Sequence, residues 1–120
     1  MTRRGWAVIV TGILCAAPVP GDIGACGQQV EPLSPVLFFE SKQRIDCTRC
    51  SECGLSTATC GRACSDRPPE NDSFPEGCVP LLHDGEVCLR ALLGASCGDY
   101  PAYVDDLDPT VPSECDFCPR

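Results

Sequence analysis

The chain has 120 residues and a formal net charge of −8, so it has room for one small hydrophobic core and little attraction for the phosphates of nucleic acid. Twelve cysteines in so short a chain mark a disulfide scaffold. With one Trp, two Tyr and four Phe, the apolar core is thin, and covalent links must make up the difference.

Residues 1–25 have the form of an export signal: Arg3 and Arg4, an apolar run from Trp6 to Ala17, and a polar stretch ending at Ala25. Removing them takes away Arg3, Arg4, Asp22 and Cys15, and leaves seven basic and sixteen acidic residues with a formal charge of −9. Eleven cysteines then remain, at 26, 47, 50, 53, 60, 64, 78, 88, 97, 115 and 118. An odd number cannot all pair, so one cysteine, Cys26 being the candidate, bonds a partner chain, stays a free thiol in a soluble secreted protein, or has another use. Ile23-Gly24-Ala25-Cys26-Gly27 resembles the bacterial lipobox, whose cysteine is acylated and becomes the new N-terminus. The resemblance implies a membrane attachment through lipid on Cys26. It also leaves ten cysteines, which is an even set.

Residues 26–46 read as a tether containing Pro32 and Pro35, with Val36-Leu37-Phe38-Phe39 as a single edge strand. Residues 47–120 read as one disulfide-stapled domain with a Pro-rich acidic loop at 66–77. Five cysteines lie before that loop, Cys47, Cys50, Cys53, Cys60 and Cys64, and five after it, Cys78, Cys88, Cys97, Cys115 and Cys118. If all ten pair, at least one bond must cross between the blocks. A short helix is predicted over about 56–63, with Cys60 and Cys64 four apart on one face and both able to bond a facing segment. The clearest helix spans about 84–96, with Asp84 as N-cap and Val87, Cys88, Ala91, Leu92 and Ala95 on one face, widened by Leu89 and Leu93. Cys88 and Cys97 would lie about 13 Å apart along such a helix, too far to bond each other, so each should fasten to a different neighbour. The fold class is therefore small and disulfide-rich, irregular, with one clear helix and little strand.

Three chemistries compete with a purely structural use of the cysteines. Cys47, Cys50 and Cys53 have the CxxCxxC spacing of an iron–sulfur site, for which Cys118-Pro119 would supply the fourth ligand. Cys47, Cys50, Cys115 and Cys118 form two CxxC pairs able to hold zinc. Either CxxC could be the reactive pair of a thiol–disulfide oxidoreductase. An oxidising destination favours disulfides over all three, so no metal or other cofactor and no catalytic residue is expected. His83, the only histidine, reads as a solvated helix-start residue, and Asp105, Asp106 and Asp108 read as a hydrated acidic loop without the glycine of a calcium loop. The lipobox-like start and the acidic tail ended by CxxC resemble the small cysteine-rich lipoproteins and secreted proteins of large-genome soil bacteria. The resemblance implies export but no particular activity, and no functional residue carries over from it. The reading is a non-enzymatic envelope or extracellular protein with a structural or binding role toward a protein or cell-surface partner.

Overall fold

A computed structural model describes residues 30–118; residues 1–25, read from the sequence as an export signal, and Cys26 with its proposed lipid lie outside the described residues. Four helices follow one another: α1 (Pro35–Cys53), α2 (Ala58–Ala63), α3 (Leu82–Gly94) and α4 (Tyr100–Tyr103), with a 3-10 turn at Ser113–Cys115. The described residues contain no strand, only an isolated antiparallel bridge between Pro32 and Leu81. The expected small, disulfide-rich irregular fold is what forms.

The long first helix corrects the expected tether and edge strand. Val36-Leu37-Phe38-Phe39 lies in the first turns of α1, and the buried residues Leu33, Phe38 and Asp46 make 33–46 part of the packed unit. Pro35 at the first helical position is preorganised to start a helix, and from Val36 to Cys53 no Gly or Pro interrupts it. The helical pattern is hidden because its buried stripe, Phe38, Asp46 and Cys50, is an aromatic, a carboxylate and a thiol rather than a row of aliphatics. Gly54, at φ 65°, ends the helix. Its N–H donates to the Ser51 carbonyl at 3.3 Å, and the Leu55 N–H donates to that of Cys50 at 2.9 Å, the paired closure of a Schellman motif.

α3 begins two residues before the expected start and ends at Gly94, not 96. Asp84 is therefore not the N-cap; it sits in the first turn, where its carboxylate reaches back to accept the Leu81 N–H at 2.9 Å. The N–H of Leu82 is taken by the Glu31 carbonyl at 2.8 Å, so the incoming chain closes the helix start. Gly85, Cys88 and Leu92 form the buried stripe of α3, while Leu93 points to solvent. The missing side chain at Gly85 leaves the space that Leu33 fills: a Cβ there would lie 2.5 Å from Leu33 Cδ1.

The core consists of Leu33, Phe38, Cys50, Cys60, Cys88, Leu92, Tyr100 and Val104. Three of the eight are half-cystines, as the shortage of aromatic residues requires. Phe38 and Phe39 extend this core by packing against Phe74 of the Pro-rich loop, and Phe117 joins Phe38 and Phe74, with ring centroids 5.2 to 6.1 Å apart. This aromatic group anchors both the loop and the C-terminal tail to α1.

Candidate functional site

All ten cysteines from 47 to 118 are paired: Cys47–Cys64, Cys50–Cys60, Cys53–Cys97, Cys78–Cys118 and Cys88–Cys115. One bond, Cys53–Cys97, crosses between the two blocks. Cys60 and Cys64 both bond to α1, and Cys88 and Cys97 go to different neighbours, as their spacing predicted. The CxxCxxC segment is the last two turns of α1, and a helical spacing of three residues sends successive thiols along the axis by about 4.5 Å per step. They diverge toward three separate partners instead of converging on one centre.

This pairing overturns the iron–sulfur alternative at Cys47, Cys50, Cys53 and Cys118, since each sulfur is bonded to a different cysteine and none is available as a thiolate. The zinc set fails for the same reason, and no group of three or more potential ligands gathers elsewhere among the described residues. The redox alternative needs the two cysteines of one CxxC to bond each other, and neither Cys47 with Cys50 nor Cys115 with Cys118 does so. His83 is exposed in the first turn of α3.

The acidic loop has a structural task that its composition concealed. Asp106 accepts the N–H groups of Ala58 and Thr59, each at 2.8 Å, and the Thr59 hydroxyl at 2.8 Å, so it caps α2 from 47 or 48 residues away. Asp105 accepts the N–H groups of Leu107 and Asp108 and folds the loop on itself. These hydrogen bonds hold both carboxyl groups below the usual aspartate range.

The most buried charge belongs to Asp46, at 5% exposure. Lys42, one turn earlier, reaches one carboxylate oxygen at 2.7 Å, and the Tyr100 hydroxyl donates to the other at 2.6 Å. Burial, and then the bond to Asp46, push the Tyr100 phenol far above its ordinary range, so it stays protonated as the donor. Arg49 lies 5.5 Å from the centre of the Tyr100 ring, donates to the Ala95 carbonyl and pairs with Glu52 at 2.5 Å. With both carboxylate oxygens bonded and Tyr100 wholly buried, the group locks α1 to α4.

Outward from Asp46 opens a groove of about 240 Å³. Its walls are Phe39, Pro68 and Pro69; Lys42, Arg62 and Arg67 bring positive charge to it, with Lys42 paired to Asp46 at 2.7 Å and Arg62 to Glu70 at 3.5 Å. A second, shallower depression of about 500 Å³ lies along residues 63–69, on the Arg44 and Cys47 side. Gln43 lines both; its amide donates to the Arg67 carbonyl at 2.9 Å, pinning the Pro-rich loop, while its own carbonyl oxygen is buried without a partner.

No family model, no curated protein and no solved structure matches the chain. The groove residues were not legible as a site in the sequence, where Lys42, Gln43, Arg62 and Arg67 are ordinary surface types spread over 26 residues. One signal was available in hindsight. Five of the six basic residues among those described fall before residue 70, whereas after it Arg90 is the one basic residue described against ten acidic ones.

Proposed function

We propose that this chain is a non-enzymatic exported protein of the cell envelope or extracellular space, anchored by lipid on Cys26, whose disulfide-fixed surface serves a structural or binding role. The observation that supports it is the complete pairing of the ten cysteines from 47 to 118. Five disulfides fit an oxidising compartment, and they leave Cys26 as the odd cysteine of a chain cleaved at Ala25. No helix among the described residues is long and apolar enough to cross a membrane, so attachment in this reading depends on the acylated N-terminus. The groove beside α1 is where a binding role toward a protein or cell-surface partner would sit, because it sets the apolar walls of Phe39, Pro68 and Pro69 beside the Lys42–Asp46 and Arg62–Glu70 pairs and Arg67.

The test is the intact mass of the protein expressed with its own leader in an envelope-bearing bacterium, before and after alkylation, with and without reduction. The expected result is a chain starting at Cys26 with added acyl mass, no alkylation before reduction and ten modified cysteines after it. Several free thiols before reduction, or metal retained in a native spectrum, would refute the disulfide scaffold, and a single free thiol at an unacylated Cys26 would refute the lipid attachment.

A further inference from the structure

Nine large apolar side chains stand exposed among the described residues, and six of them, Val30, Val36, Leu37, Val79, Leu81 and Leu82, fall in two short segments, 30–37 and 79–82. The Pro32–Leu81 bridge holds these segments side by side, through the Leu33 N–H on the Pro80 carbonyl at 2.9 Å and the Leu82 N–H on that of Glu31 at 2.8 Å. Val30 and Val79 are 74% and 77% exposed. Glu31 is the only charged residue in the two segments, in a chain with 26 charged side chains. An apolar, nearly uncharged end on a small acidic domain marks a contact surface.

We propose that this end is the face the protein lays against a lipid bilayer, an inference that rests on the reading of Cys26 as the lipid attachment. The position of the anchor selects this occupant. Cys26 precedes Val30 by four residues, which span at most about 14 Å when fully extended, so acyl chains on Cys26 keep the patch within reach of the headgroups. The charge pattern agrees. A domain this acidic gains nothing from anionic lipid, so contact must come from apolar side chains entering the interface; within the two segments the one acidic side chain is Glu31, and the Asp84 carboxylate, bonded to the Leu81 N–H at 2.9 Å, borders them. The bilayer then covers the side chains at the tethered end, and the protein stands on the membrane in a fixed orientation instead of swinging on a free linker.

The test uses the full chain with its own leader, in a Trp6→Phe background, carrying either Val79→Trp in the patch or Leu107→Trp at a site that is 95% exposed and outside both segments. Each processed protein is placed in phosphatidylcholine vesicles containing brominated acyl chains. Emission from V79W should shift to the blue and be quenched severalfold more than that from L107W. Equal quenching of the two overturns the proposal. Intact mass of the same samples tests the anchor separately. If no acyl group is present, the Cys26→Ser chain with a histidine tag inserted after Gly27 is held on nickel-chelating phosphatidylcholine vesicles, where the same difference in quenching supports the face and its absence overturns it. A dimer whose formation shields V79W without lipid would assign the face to a second copy and also overturn the proposal.

Discussion

Replacing Gly85 by alanine sets two effects of known size against each other. Within a helix, Ala is favoured over Gly by about 1 kcal/mol, so in open space the change should stabilise α3. At Gly85 the space is occupied: the new Cβ would lie 2.5 and 2.6 Å from the two Leu33 methyls and 3.2 Å from its Cγ. These contacts are roughly 1 Å too close, so either Leu33 is displaced or it leaves its site, where it is only 9% exposed. Overpacking of this kind costs about 1–3 kcal/mol, and losing the burial of a leucine costs about as much. The clash should outweigh the helical gain, leaving Gly85→Ala destabilised by about 1–2 kcal/mol, which corresponds to a fall in Tm of roughly 5–10 °C for a domain of this size. Gly61 in α2 is the matched control, since nothing lies within 4 Å of the position a Cβ would take. Gly61→Ala should leave Tm unchanged or raise it by a few degrees. Thermal unfolding of the oxidised proteins, followed by circular dichroism, measures both. A Gly85→Ala protein as stable as Gly61→Ala would refute the docking of residues 30–34 onto α3.

Tyr100→Phe should cost about 1–3 kcal/mol in urea denaturation, because it leaves one buried oxygen of Asp46 without its donor. Since the folded Tyr100 phenol is raised above its unfolded value of about 10, its contribution is fully present below that pH and is lost as pH rises above it; wild type should lose stability faster than Tyr100→Phe in that window. Asp105 and Asp106 have the opposite sign: both are held below their unfolded value, so their stabilisation is present above about pH 4 and is lost as pH falls through the folded values. Asp106→Asn should lower Tm at neutral pH and flatten the loss of Tm in acid, measured by thermal scans across that range.

Cysteine arithmetic went furthest from residues to structure. Parity alone required a bond between the two blocks, and helical spacing separated the partners of Cys88 and Cys97 and directed Cys60 and Cys64 to one neighbour. These inferences worked because a disulfide has a short, fixed reach, so counting and periodicity exclude most arrangements. α3 was legible for a similar reason, since aliphatic side chains recur on its face at helical spacing. α1 was not, because Phe38, Asp46 and Cys50 share its buried stripe and only one of them signals burial by its chemistry. The same spacing that resembled a cluster-binding loop in Cys47, Cys50 and Cys53 is, on that helix, a row of staples.

The chain's composition and local order thus determined the class of protein: disulfide-dense, acidic and thin in its core. Tertiary structure alone decided which residues meet. Asp46 and Tyr100 are 54 positions apart, Asp106 caps a helix 47 residues before it, and Lys42 meets Arg62 and Arg67 at the groove only because α2 and the Pro-rich loop fold back against α1. Such encounters leave no periodic trace, because each rests on a single long-range contact made after the helices and disulfides have placed the backbone.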